Sequence, residues 1–225
     1  MPTLSRRSLL LGAAGGAIVA PRLVVAQERP IALFNGRNLE GWYTFLPSKG
    51  RNVDPEGIFT VHDGMIHILG KEFGYIATEK EYENYRLIVE FRWGEKKFPP
   101  RQNAVRDSGI LMHTVGPDKV WPRSIECQIQ EGDTGDFWLV DGTSITVDGR
   151  RQTNGRIVKK VDAEKPTGEW NRVEVICDGD RIVHIVNGVK NNEGTEASVT
   201  RGKIAIQSEG AEVFYRKIDL IPLRK

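Results

Sequence analysis

The residues best equipped for chemistry lie between Asp107 and Trp138, in the stretch DSGILMHTVGPDKVWPRSIECQIQEGDTGDFW. It reads as two strands, a polar loop between them, and a Gly/Asp-rich loop behind. Side chains alternate sides along a strand. Ile125, Cys127 and Ile129 therefore share one face, and Glu126, Gln128 and Gln130 share the other. In the preceding run Ile110 and Met112 fall on one face, with Asp107, Leu111 and His113 on the other. If the two strands are neighbours, Glu126, Gln128 and His113 converge on one concave surface. A carboxylate, an amide and an imidazole held together can move protons, bind hydroxyls or ligate a metal ion. The same pattern equally suits a solvated face of a half-buried sheet.

The elements that must position these residues are strands. Ile31 to Trp42 starts as a short apolar strand and turns at Asn35-Gly36. Phe59 to Leu69 is a hairpin, two alternating runs separated by Asp63-Gly64. Gly74 to Thr78 is another strand, and Tyr85 to Trp93 alternates, with Leu87, Val89 and Phe91 against Glu90 and Arg92. Lys96 to Val105, with Pro99-Pro100, is loop. Gly132 to Pro166 reads as a long polar excursion with room for one hairpin. Strands follow at Trp170 to Cys177, Arg181 to Val186, Lys203 to Gln207 and Val213 to Leu220, with turns at Asp178-Gly179-Asp180, Asn187-Gly188 and Glu209-Gly210. Outside the first residues no helical period lasts ten positions. About ten short strands with frequent turn dipeptides imply an all-β antiparallel sandwich or jelly roll.

Residues 1–26 look like a leader. Arg6-Arg7 precede an apolar run, Leu9 to Ala20, and Val24-Val25-Ala26 offers a cleavage point. Twin-arginine export to the periplasm or beyond is the expectation, leaving residues 27–225 as one domain. The leader holds Arg6, Arg7 and Arg22 and no acid, so the remainder has 29 basic and 30 acidic residues. That near-neutral balance gives a nucleic-acid partner no electrostatic support. Cys127 and Cys177 both sit at apolar-parity positions and read as buried free thiols, although an oxidising compartment would permit pairing.

Phosphate loops, a GxSxG elbow, HExxH and paired CxxC motifs are all missing. His62, His67 and His184 read as surface or structural residues; His113 differs because acids can share its face. Acids, amides, one histidine and tryptophans spread over several strands would furnish a carbohydrate-sized face. Rings stack on sugars, and carboxylates and amides bind hydroxyls. Two carboxylates on neighbouring strands could also serve as an acid/base pair in glycoside cleavage.

The order and spacing of LFNGRNLEGW (33–42), TEKEYENYRLIVEFRW (78–93), DSGILMH (107–113), IECQIQ (125–130), GEWNRVEV (168–175), IAIQSEG (204–210) and YRKIDL (215–220) resemble the 3-keto-disaccharide hydrolase family over nearly all of residues 27–225. The resemblance implies a concanavalin-like jelly-roll sandwich and cleavage of glycosides carrying a ketone at carbon 3. Such a ketone acidifies the carbon-2 hydrogen, so a base can form an enolate and the aglycone can leave from carbon 1. A base, an enolate stabiliser and an acid are needed, and a divalent metal could be the stabiliser. By the same resemblance Glu126 stands at the family's glutamate, with Gln128 two positions on. Glu90 and Arg92 match its E-x-R strand, Trp170 and Asn171 its E-W-N, and Gln207 its closing glutamine. This chain departs from it at Asp107, where Asn is usual, at His113, where Arg is frequent, and at Tyr215-Arg216-Lys217-Ile218.

The resulting expectation is an exported enzyme acting on a carbohydrate, a 3-keto-glycoside or related glycan. Glu126 is its base or metal ligand and His113 its partner. Gln128, Glu90, Arg92 and Gln207 bind hydroxyls, while Asp136 and Trp138 close over the sugar. Glu126 and His113 are the metal candidates, and Trp42 and Trp170 are assigned to the core. The alternative is a non-catalytic carbohydrate-binding jelly-roll module of the cell envelope.

Overall fold

The computed structural model describes residues 29–224; the leader expected over residues 1–26 lies outside them. The strands begin with β1 (Ile31–Ala32), β2 (Trp42–Leu46), β3 (Gly50–Arg51), β4 (Phe59–His62), β5 (Met65–Ile68) and β6 (Gly74–Thr78). Next come β7 (Tyr85–Lys97), β8 (Gly109–Val115), β9 (Arg123–Gln128), β10 (Phe137–Val147) and β11 (Arg150–Ile157). The last are β12 (Asn171–Asp178), β13 (Arg181–Val186), β14 (Val189–Gly194), β15 (Lys203–Ser208) and β16 (Ala211–Pro222). No helix among the described residues is long and apolar enough to cross a membrane.

One sheet runs β14-β13-β12-β7-β16-β5-β4 with β1 added against β16, and the other runs β11-β10-β9-β8-β15-β6-β2-β3. All pairs are antiparallel. The architecture is the antiparallel sandwich that the strand count and turns imply, in the concanavalin-like jelly-roll form that the resemblance implies. Asp63-Gly64 (φ 52° and 72°) and Asn187-Gly188 (φ 49° and 83°) adopt the left-handed pairs that two-residue hairpin turns require.

The core forms where the two inner faces meet. Leu87, Val89, Phe91, Val173 and Val175 from the first sheet meet Ile110, Met112, Ile125 and Ile206 from the second, all fully buried. Each such aliphatic side chain contributes about 1.5–3 kcal/mol of burial. Cys127 and Cys177 are buried in the same core as free thiols.

Two local expectations change, at Trp170 and His113. The one hairpin for which Gly132 to Pro166 has room is present as β10–β11 and fills most of that excursion. As an edge strand with largely exposed residues RRQTNGRI, β11 has no apolar alternation to announce it. Trp170 is not core: it is only partly buried, with the Arg216 guanidinium 4.3 Å from its ring centre and that of Arg92 5.1 Å away.

His113 also breaks the alternation. The register of β8 against β9 shifts between Met112 and Val115, and His113 has φ 52°, in the left-handed region. Such a bulge puts successive side chains on one side of the sheet. His113 therefore turns into the core, where its ring meets Tyr85 edge-on at 5.5 Å and Nδ1 donates to Val199 O at 3.2 Å. His184 is built the same way, with Nδ1 donating to Gly135 O at 3.1 Å and Phe137 beside it. Nε2 of each ring is buried without a partner.

Burial lowers both imidazoles to about 4. Because the folded value lies below the ordinary 6.5, the stability tied to neutral rings is complete above pH 6.5 and is lost as pH falls toward 4. A shift of this size corresponds to about 3 kcal/mol per ring. Nitrogen-15 NMR of the imidazoles at pH 5.5 should show both rings neutral with the proton on Nδ1. A charged ring at that pH would contradict this account of their burial.

Candidate active site

On the second sheet the register sets Ala205, Leu111, Glu126, Trp138 and Arg156 in one line across β15, β8, β9, β10 and β11. Leu111 and Ala205 pack with Tyr43, Phe45, Tyr75 and Ala77 in an apolar cluster separate from the core, so this line lies on the sheet's outer face. The face is not a plain solvated one. Glu126 is 4% exposed and Gln128 5%. Over them lies a cavity of about 510 Å³ lined by Arg101, Asp107, Trp121, Glu126, Gln128, Gln130, Trp138, Asp141, Asn154, Gln207 and Glu209 among others.

Gly109 makes room for the centre of this site. A Cβ there would overlap both Glu126 Oε1 and Gln207 Oε1, so these two oxygens close over a position that only glycine leaves free. Gln207 Oε1 is buried with no partner. Gln128 is fixed from below, its Oε1 accepting from Ile129 N at 2.9 Å.

Two loops supply the rest. Arg101 comes from the segment between β7 and β8, which is tied to the β15–β16 turn by Phe98 N donating to Gly210 O at 2.8 Å. A Cβ on Gly210 would meet Arg101 Cβ at 2.7 Å, so glycine in the turn lets the arginine stem pass. Arg101 Nη2 pairs with Asp107 Oδ2 at 2.5 Å, and Nη1 lies 3.8 Å from Glu209 Oε1. Gln130 Nε2 donates to the same Asp107 Oδ2 at 2.6 Å, while Asp107 Oδ1 is buried and unpartnered.

Asp107 and Glu209 thus share one guanidinium, and Glu126 lines the same cavity without it. Burial, and then the charges of Glu209 and Asp107, hold Glu126 well above the ordinary carboxylate range. Burial pushes Asp107 up to about 6 despite Arg101 and Gln130. Burial and the charge of Asp107 push Glu209 up to about 8, against the pull of Arg101. Carboxyl groups with values drawn toward neutrality are suited to accepting and donating protons at neutral pH.

Of the residues singled out from the sequence, Glu126, Gln128, Gln207 and Trp138 meet in this cavity. His113 does not, because the bulge turns it to the opposite face, and it cannot share a metal ion with Glu126. Among the described residues no cluster of His, Cys, Asp or Glu side chains is arranged to hold a metal. Glu90 and Arg92 lie on the outer face of the other sheet. Glu90 accepts from Arg216 Nε at 2.6 Å and Arg172 Nη1 at 3.5 Å, and Arg92 stands over Trp170 and Phe214. Parity along β7 is correct for both, but it does not say which sheet they belong to. Asp136 is fully buried and structural: it accepts from Arg156 Nε at 2.5 Å and Lys159 N at 2.7 Å. Arg101, Glu209 and Trp121 were not anticipated. Their only signal was position, in a Pro-Pro loop, a Glu-Gly turn and the polar loop between two site strands.

A carboxyl, several amides and two tryptophans thus line one cavity on the outer face of a jelly-roll sheet. The chain belongs to the 3-keto-alpha-glucoside-1,2-lyase-like domain family, whose model matches residues 29–221. A candidate glycosyl hydrolase from Parabacteroides distasonis ATCC 8503 is 21% identical, with 87% of this chain and 94% of that one covered at a TM-score of 0.63. Carbohydrate-binding module CBM66 from Bacillus subtilis is 9% identical over 79% and 93%, TM-score 0.54. The Bacillus licheniformis beta-glucanase is 12% identical over 89% and 100%, TM-score 0.54. These likenesses establish the fold. No curated protein matches the sequence.

Alanine at position 109 would meet only the ends of two flexible side chains. The Gly109→Ala protein should therefore keep a thermal midpoint near wild type, while its crystal structure shows Glu126 and Gln207 driven apart. Unmoved side chains would contradict the packing described.

Proposed function

We propose that this protein is an exported enzyme that cleaves 3-keto-glycosides in the cavity of the second sheet. The carbon-2 proton is removed, the aglycone is expelled from carbon 1, and addition of water to the resulting double bond completes a net hydrolysis. One observation carries this reading: Glu126 shares a cavity of about 510 Å³ with Asp107 and Glu209, which are joined through Arg101. The family to which the chain belongs supports the substrate class, and the paired arginines of the leader support export.

The chemistry matches the furnishing. A ketone at carbon 3 lets the C2–H electron pair delocalise onto oxygen, so a carboxylate suffices as base. The electrons then form the C1–C2 double bond as the C1–O bond breaks, and a carboxylic acid protonates the departing oxygen. Gln128, Gln130, Gln207 and Asn154 offer donors and acceptors for hydroxyls and for the enolate oxygen. Trp121 and Trp138 offer faces on which a ring can stack. No step here needs Glu90 or Arg92.

A panel of 3-keto-glycosides tests the proposal through aglycone release by the purified protein. Glu126→Gln should lower kcat by about 100-fold or more. Trp138→Ala should act mainly on KM, and Arg92→Ala should leave both parameters unchanged. Sugar binding without release from any substrate would replace the enzyme by a binding module, the role that the CBM66 fold already serves.

A further inference from the structure

We infer that Glu126 rests as a neutral acid that donates to Gln207 Oε1 across Gly109, and that it is the proton donor of the site, while the Asp107–Glu209 pair held by Arg101 is the proton acceptor. The direction of the proton transfers rests on the reading above; the resting protonation of Glu126 does not.

Glu126 Oε1 and Gln207 Oε1 both border the space that a Cβ on Gly109 would fill, and a proton on Glu126 directed there turns two facing acceptors into a donor and an acceptor. Gln207 Oε1 is buried with no partner, and no group donates to the Glu126 carboxyl among the described residues. A charged Glu126, 4% exposed and facing the cavity, would have no cation and no protein donor beside it, and burial disfavours that charge. A proton on Glu126 satisfies both oxygens at once.

The charged groups lining the same cavity are Asp107 before β8, Glu209 after β15, Arg101 from the loop after β7, and Asp141 on the far wall. Asp141 is engaged by Lys119 Nζ at 2.7 Å. Arg101 is committed to Asp107 and Glu209, so the ionised carboxylate resides in that pair and not on Glu126. Burial raises both Asp107 and Glu209, and the charge of Asp107 raises Glu209 further, so the single guanidinium between them favours one shared negative charge over two. In turnover the pair takes the carbon-2 proton, and Glu126 passes its own to the departing glycosidic oxygen. Transfer of one proton from the pair back to Glu126 restores the enzyme, so no proton is gained or lost.

Two measurements decide the inference. In sugar-free protein at pH 7, the infrared difference between wild type and Glu126→Gln should contain a protonated-carboxyl band that the variant lacks. The variant keeps a donor toward Gln207 and should fold normally. A difference confined to carboxylate bands would overturn the neutral Glu126. In turnover, Asp107→Asn and Glu209→Gln should each lower kcat at pH 7 by about tenfold or more with little change in KM. Asp107→Asn should also displace the acidic limb of the kcat profile. Unchanged kcat and an unchanged limb in both variants would overturn the acceptor. Wild type inert toward every 3-keto-glycoside would sink the proposed reaction and the acceptor role with it, while the infrared result would still decide the state of Glu126.

Discussion

A carboxyl group buried without a cation beside it must find hydrogen-bond donors or surrender its charge. Glu126 is built into the middle of the second sheet under that constraint, and the surrounding site is arranged around it. The neighbouring strand has glycine where any Cβ would strike the carboxyl, and the next strand brings an amide oxygen to the same point. The one arginine of the cavity is spent on Asp107 and Glu209 and not on Glu126. Carboxyl groups of one chemical type are thereby pushed into different protonation states by position alone.

The sandwich makes this arrangement possible because strands β8, β9 and β15 serve two faces at once. Ile110, Ile125 and Ile206 anchor them in the core, and the alternate positions carry Leu111, Glu126 and Gln207 outward. Loops close the outer face into a cavity, and they do so through fixed contacts. Asp118 accepts from both Tyr43 and Tyr75 hydroxyls, at 2.8 and 2.6 Å, and pins the β8–β9 loop that carries Trp121. The opposite sheet has a different surface. Arg86, Glu174, Arg172, Glu90 and Arg216 form a chain of ion pairs across it, a solvated ladder in which each exposed link is worth about 1 kcal/mol or less.

Much of this was legible in the sequence, for reasons that can be stated residue by residue. Turn dipeptides announced the hairpins because only a few residues tolerate left-handed backbone. Two-residue alternation placed Glu126 and Gln128 opposite Cys127 and Ile125, as found. His113 was misplaced because a bulge resets that alternation, and nothing in DSGILMH marks where the extra residue falls. Glu90 and Arg92 have the parity of site residues, but parity carries no information about which sheet a strand joins. Glu209 meets Asp107 only through the pairing of β8 with β15, which join distant parts of the chain, and Arg101 reaches both from a Pro-Pro loop whose path no periodicity announces. Asp136 shares the GDFW loop with Trp138, but it is the buried knot of that loop and not a sugar contact.

The account depends most on chemistry beginning at carbon 2 of the sugar. A 3-keto-glycoside carrying deuterium at carbon 2, followed by mass spectrometry and rate, tests this directly. Elimination predicts a primary isotope effect on aglycone release and loss of the carbon-2 label from the sugar product. Release at an unchanged rate with the label fully retained would mean direct attack at carbon 1, and would contradict the roles given to the three carboxyl groups.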